Sequence, residues 1–394
     1  MAARRWCVAV LACLGVLLAG ACREARPTPT PTPTTSTTTA AVRPAWLEVT
    51  LPTPAGAPGR VQLRDAVACA GRWFVVGAVA GPAGETRPAA WTSGDTRVWT
   101  SLSFSAHSPY GPENTLYSAA CRDGRLAAVG SRSGGAHANP RVSTWWQRPD
   151  GTLVEAHAPF ERYGGPQAVN VARMVAGPPG WLITGNRMSG AAVWVSPDAV
   201  TFDLVEREPR LANDPAGQTW LFDAVPTGDG WLAAGGLIPP GRTDRDPLLW
   251  TSSDGRTWTR VPVPGTAEYE ELRRVVTIGA TVVAVGPRGA TFGAWRGGEA
   301  GWTAVGRFGQ LAGGIPSVPG LVAVPGGLLA AVADGTTHTL WLSADLGASW
   351  RPVAGPAALP AGTEQIARVA ADRDTTLLFA DDGRSARVWV TARL

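Results

Sequence analysis

Tryptophan returns along this chain at a nearly fixed interval. Trp91, Trp146, Trp194, Trp250, Trp295, Trp341 and Trp389 are separated by 55, 48, 56, 45, 46 and 48 residues. The first six are each followed four residues later by an acid: Asp95, Asp150, Asp198, Asp254, Glu299 and Asp345. A period of this length marks a repeat architecture, in which each unit buries its apolar face against its neighbours. It constrains the fold strongly and the activity hardly at all.

The repeat has internal structure. Upstream of each tryptophan lies a short apolar run that in five units closes on glycine: residues 73–77, 126–130, 181–185, 231–235 and 282–286, with 328–333 and 377–380 in the same slot of the last two units. Another run precedes it, as in residues 221–225 and 272–276. After the acid a second aromatic, Trp99, Phe202, Trp258, Trp302 or Trp350, opens a further run. Runs of about five residues between turn signals read as strands, and no segment sustains a helical period. The pattern predicts an all-β, seven-bladed β-propeller of four-stranded antiparallel blades. The seventh unit stops at Leu394 without a fourth strand, whereas residues 46–52 look like a fourth strand with no preceding three. They are expected to complete the last blade and close the ring, which removes exposed sheet edges. The tryptophans fall into strand columns, with Trp145 and Trp220 outside them. That regularity favours packing, each ring burying roughly 150–250 Å², over sugar recognition.

Composition adds exclusions. The chain has 35 basic residues, all arginine, alongside 48 Gly and 34 Pro, as expected of a high-GC, actinobacterial genome. The absence of lysine rules out a P-loop lysine, a Schiff-base lysine and a Ser-x-x-Lys pair. A net charge of +4 is too small to suggest nucleic-acid binding. His107, His137, His157 and His338 show no metal-ligand spacing, and no cofactor motif is present.

Arg4 and Arg5 precede an apolar stretch, residues 6–20, that is short for a membrane span. Leu17-Leu18-Ala19-Gly20-Ala21-Cys22 resembles a bacterial lipobox, which implies that Cys22 becomes the lipidated first residue. Ala19-x-Ala21 also suits ordinary signal peptidase, with the same mature start. The expected organisation is a signal peptide over 1–21, lipidated Cys22 with a Pro/Thr-rich tether over 22–45, and a propeller over 46–394. Such a tether stays extended at about 3.1 Å per residue, a reach on the order of 70 Å. With Cys7 and Cys13 in the leader, Cys69 and Cys121 remain, at matching positions of two units. In an oxidising compartment they form an inter-blade disulfide if their Cα atoms lie within about 7 Å.

Ser343-Ala344-Asp345-Leu346-Gly347-Ala348-Ser349-Trp350 resembles the Asp-box or BNR repeat, Ser-x-Asp-x-Gly-x-Thr/Ser-Trp. Residues 252–258 are the same turn one residue shorter, and 93–99 and 196–202 are partial copies. The motif is similar to those of sialidases, sortilin-type propellers and the propellers of photosystem II assembly factors. The resemblance implies a propeller whose Asp-box turns join third and fourth strands, on the face opposite the ligand-binding loops. It marks architecture rather than catalysis.

Two sets of residues are site candidates. The loops between second and third strands and between blades carry Tyr110, Arg162, Tyr163, Arg242 and Tyr269. Exposed aromatics beside charges there suit carbohydrate or protein recognition. The innermost strands are expected to bring Asp65, Ser118, Arg173, Asp223, Arg274, Gly320 and Arg368 around the channel. These form either a self-neutralising hydrated ring or a clamp for an anion. The sialidase resemblance implies a carboxylate held by three arginines. The chain departs from that family in lacking its Arg-Ile-Pro element and in having seven blades rather than six. Its only candidate for the Tyr–Glu nucleophile pair is Tyr269 with a neighbouring glutamate. The expected function is a monomeric binding or scaffold module, lipid-anchored on the outer face of the bacterial cytoplasmic membrane, whose partner is an envelope protein or carbohydrate. The alternative is a glycoside hydrolase of exo-alpha-sialidase type.

Overall fold

The computed structural model describes residues 40–394 apart from 134–138, 229 and 299. The segment expected to be a signal peptide, Cys22, residues 22–39 of the expected tether, and Glu299 lie outside the described residues. The chain forms seven sheets in succession, and it is a seven-bladed β-propeller. The innermost strands are Arg60–Cys69, Thr115–Arg122, Ala168–Gly177, Gln218–Thr227, Arg274–Ile278, Ser317–Val324 and Ile366–Asp372. The helical elements among the described residues are two single 3-10 turns, Gly111–Glu113 and Phe160–Arg162. Blade two departs from the four-strand rule: Phe104–Ser105 adds a fifth strand, parallel to Leu153–Glu155.

The core is divided among the blade interfaces because side chains alternate across each strand. One face of a blade packs on its predecessor and the other on its successor. Trp91 meets Phe379 and Val388 of blade seven, Trp194 meets Val129 of blade two, and Trp250 meets Val193 of blade three. These rings are fully buried. Their indole N–H groups reach backbone carbonyls of the inter-blade connections: Pro52 at 2.8 Å, Arg162 at 2.6 Å and Arg210 at 2.9 Å.

Blade two corrects the tryptophan period. Trp145, which repeat counting leaves outside the columns, is the equivalent residue. It is 0% exposed, packs on blade one beside Phe74 and Val76, and donates to Asn114 Oδ1 at 3.2 Å. Trp146 faces blade three and is only partly buried. A one-residue shift along a strand moves a side chain to the opposite face. Spacing alone cannot separate two adjacent tryptophans.

The Asp-box turns have the geometry their sequence implies. Asp254 Oδ1 accepts the backbone N–H of Arg256 at 2.7 Å and Thr257 at 2.8 Å, and Trp258 Nε1 donates to Gly255 O at 3.0 Å. Asp95 does the same for Arg97 and Val98, both at 2.9 Å. The residue after the acid is left-handed even where it is not glycine, with φ 61° at Thr96 and 66° at Ala199. The local hydrogen bonds therefore outweigh the modest strain.

The last sheet runs in the order Leu47–Val49, Ala386–Thr391, Thr375–Asp381, Ile366–Asp372. Leu47 lies opposite Val390, Glu48 opposite Trp389 and Val49 opposite Val388. Cys69 and Cys121 are joined as a disulfide between blades one and two, with Cα atoms 5.8 Å apart and a sequence separation of 52. A loop of that length gives a chain-entropy contribution of about 4 kcal/mol. Intact mass should rise by two hydrogens on reduction. The Cys69→Ser/Cys121→Ser pair should unfold at distinctly lower denaturant than the oxidised protein.

Candidate functional site

The inner strands bring the seven ring positions together by register. Asp65, Ser118, Arg173, Asp223, Arg274, Gly320 and Arg368 each lie opposite the same slot of the second strand: Val76, Val129, Thr184, Ala234, Val285, Ala331 and Phe379. In blades one to four and in blade six a register shift ends at that residue. Such bulges re-aim a side chain, here into the channel. The two aspartates and Ser118 also tie blades together. Asp65 Oδ2 accepts Ala119 N–H at 2.9 Å, Ser118 Oγ accepts Met174 N–H at 2.9 Å, and Asp223 Oδ2 accepts Val275 N–H at 3.1 Å. Gly320 has a packing reason, since a Cβ there would meet Val369 Cγ2 at 2.8 Å.

Charge in the ring is only partly cancelled. Arg368 pairs with Asp65 at 3.0 Å, and Arg173 lies 2.9 Å from Asp223 and 3.9 Å from Asp65. Burial alone would raise the Asp65 carboxyl, but Arg368, Arg173 and the Ala119 and Ala66 amides together hold it below the usual carboxylate range. Three guanidiniums face two carboxylates, and Arg274 is the one without an ion-pair partner among the described residues. Its Nη1 reaches only the Arg273 carbonyl, at 2.9 Å, and its buried Nε has no partner. Burial pushes Arg274 down to about 9, helped by the charges of Arg173 and Arg368 and opposed by Asp223 and Asp65. It remains protonated at neutral pH.

Above the ring, on the side of the inter-blade loops, opens a cavity of about 640 Å³. Its ionisable lining is Arg173, Arg273, Arg274, Arg368 and His338, and Asn170, Gln365 and Ser317 add neutral polar groups. Arg273 pairs with Glu271, a carboxylate it shares with Arg245, and lies over the Phe222 ring at 4.2 Å. Burial lowers His338 and favours its neutral form, and its Nδ1 lies 2.9 Å from the Pro360 carbonyl. The cavity therefore presents an uncompensated cation amid polar groups, an arrangement that attracts a carboxylate, phosphate or sulfate.

The loop candidates separate. Tyr110 lines a second cavity of about 440 Å³. Tyr163 is not an exposed recognition residue: it is 5% exposed, packs on Trp194, and burial pushes its hydroxyl up to about 12. The short turn Phe160–Arg162 folds it back into the interface between blades two and three. Arg242 is satisfied by Asp244 at 2.7 Å and Asp246 at 3.0 Å. Arg162 lies 3.7 Å from Asp203. Tyr269 accepts from Arg245 at 3.1 Å, and burial with the neighbouring Glu271 raises its hydroxyl. It is not among the residues lining the central cavity, whereas Arg273 and Arg274 are.

The second cavity contains residues that sequence reasoning missed. Glu155 is 2% exposed, and its carboxylate accepts the amides of His107 and Ser108 at 2.8 Å and the hydroxyls of Ser108 and Ser143 at 2.6 Å. His107 and His157 stack with centroids 4.3 Å apart. Arg141 lies over Phe160 at 4.6 Å and Tyr110 at 5.6 Å. No sequence motif announces this group, because its members come from separate stretches of chain: the connection carrying His107, Ser108 and Tyr110, the strand Pro140–Gln147 with Arg141 and Ser143, and the end of Leu153–Glu155 with the residues that follow it. Among the described residues no cluster of three or more His, Cys, Asp or Glu could hold a metal ion.

Solved structures similar to this chain include a β-propeller domain, peptidases and a sialidase. A puromycin-hydrolysing peptidase of Mycobacterium tuberculosis matches at TM-score 0.51 and 13% identity, over 81% of this chain and 49% of that one. The β-propeller domain of the trilobed protease of Pyrococcus furiosus matches at TM-score 0.48 and 9% identity, over 84% and 93%. A Hadza microbial sialidase matches at TM-score 0.43 and 14% identity, over 84% and 65%. The chain spans about half the length of the peptidases, including 51% of the Pyrococcus horikoshii acylaminoacyl peptidase. At these identities the likeness is one of fold. No protein-family model matches the chain, and no curated protein matches it in sequence.

Proposed function

We propose that the protein is an exported, lipid-anchored binding module of the bacterial envelope that takes an acidic group of a glycan or protein in its central cavity. The observation that carries this reading is Arg274, a guanidinium without a carboxylate partner among the described residues, in the wall of a cavity of about 640 Å³. An anion there would restore the charge balance that two aspartates leave incomplete. The lipobox-like segment ending at Cys22 and the Pro/Thr tether support placement at the outer membrane face, with the ring held away from the bilayer.

Binding is favoured over glycoside hydrolysis by the chemistry of the lining. Hydrolysis needs an acid and a nucleophile flanking the scissile bond. The lining is rich in arginine, and the candidate nucleophile Tyr269 lies elsewhere. Titration calorimetry of the mature protein with N-acetylneuraminic acid, glucuronic acid and inorganic phosphate should detect binding that weakens with salt. Arg274→Gln should lose about tenfold or more in affinity, while neutral sugars should not bind. Failure of every acid to bind would reject the reading. Turnover of sialosides, abolished in Arg274→Ala and Tyr269→Phe, would replace it with a hydrolase.

A further inference from the structure

The central cavity has a neighbour with which it shares a lining residue. Asn170 lines both the central cavity and a neighbouring one of about 530 Å³. That neighbour shares Arg141, Phe160 and Tyr163 with the cavity around His107 and His157. Three cavities thus share walls in sequence, running from Arg274 outward across blades three and two. Phe160, 49% exposed, stands at the boundary of the outer two, with Tyr163 buried beside it.

Charge and shape along this path select a ligand class. The only acid lining the three cavities, among the described residues, is Glu155, and four hydrogen bonds already occupy its oxygens. The cations are Arg141 and the four arginines of the centre. The outer end holds four rings: Phe160 and Tyr110, each with the Arg141 guanidinium over one face, and the two imidazoles stacked on each other. It offers little backbone for strand addition, the usual route for an extended peptide. Local backbone donors there are spent on turns, with Arg162 N–H on Pro159, Gly164 N–H on Phe160 and Ala168 N–H on Gly165. Aromatic faces beside arginines suit sugar rings carrying acidic groups better than a peptide backbone.

Building on the proposed anion site at Arg274, we propose that the ligand is an acidic oligosaccharide. Its acidic unit lies over Arg274, and its following units run past Asn170 to stack against Phe160 beside Arg141. Phe160 and Arg141 then set the preference for an extended chain over a single sugar.

The test compares single sugars with chains on the full mature protein. Probes are N-acetylneuraminic acid against sialyllactose, and glucuronic acid against glucuronic-acid-ended xylo-oligosaccharides. An acidic peptide of matched charge serves as comparison. At least one chain should bind about tenfold tighter than its acidic unit alone. Phe160→Ala and Arg141→Gln should each remove most of that gain while changing single-sugar affinity less than about twofold. Arg274→Gln should weaken both kinds of probe. If chains bind no tighter than single acids, or Phe160→Ala leaves the gain intact, the groove is wrong and the central anion site stands. A peptide that outbinds every chain and is lost in Phe160→Ala overturns the glycan class. Absence of binding by all acids removes the central site, and the groove with it.

Discussion

Deleting residues 46–52 is expected to cost roughly 5 kcal/mol, a large share of the stability of an ordinary domain. The segment touches three blades. Its strand lies along Ala386–Thr391 of blade seven. Trp46 donates to the Ala354 carbonyl of blade six at 2.9 Å, and the Pro52 carbonyl accepts the buried Trp91 indole of blade one at 2.8 Å. Deletion would orphan that indole N–H, a penalty of about 1–3 kcal/mol. It would also strip the partly buried Trp46, Val49 and Leu51 from two core clusters. The exposed Glu48–Arg387 pair adds little. Urea unfolding of the deleted protein should shift to markedly lower midpoint, with blade seven exchanging its amides first. An unchanged melting temperature would sink the idea that this strand closes the ring.

Asp65→Asn should be nearly as damaging, about 3–5 kcal/mol. Asn keeps the shape but has an acceptor for only one of the Ala66 and Ala119 amides, which donate to Oδ1 and Oδ2 respectively. It removes the charge that Arg368 and Arg173 face, leaving three guanidiniums to a single carboxylate. The pH dependence carries a definite sign. The folded Asp65 carboxyl is held below its ordinary value, so its contribution is complete above the unfolded pKa of about 3.9. It is lost as pH falls through the lower folded value. The stability gap between wild type and Asp65→Asn should therefore be widest near neutrality and close in strong acid. A gap independent of pH would show that packing, not charge, makes the difference. The same variant should bind acids more tightly, because the channel becomes more positive.

Much of the fold could be read from the chain because a propeller repeats its physics. Aromatic wedges recur in all seven blades, closing glycines in five and Asp-box turns in four, and this repetition makes a weak signal visible. The ring positions emerged from counting alone, since equal strand register carries Asp65, Arg173, Asp223, Arg274 and Arg368 to the same level. Counting failed where neighbours compete for one place, as with Trp145 and Trp146. It also failed where a loop folds back, as with Tyr163, whose ring is drawn into the core while Phe160, three residues earlier, stays at the surface. Arg242 looked available until its own loop supplied Asp244 and Asp246. Of the cavity built from Glu155, Ser108, Ser143, Arg141 and the paired imidazoles, the sequence pointed only to the tyrosines Tyr110 and Tyr163. The cavity belongs to one blade boundary and repeats nowhere else.

Arg274 faces the channel cavity with a positive charge that no carboxylate among the described residues pairs. Locating bromide by anomalous scattering in crystals of the mature protein addresses it directly. A bromide peak within hydrogen-bonding distance of the Arg274 guanidinium, on its cavity side and absent in Arg274→Gln, is the expected result. Bromide found only on the outer surface, with the wild-type channel empty of it at saturating halide, would contradict the claim.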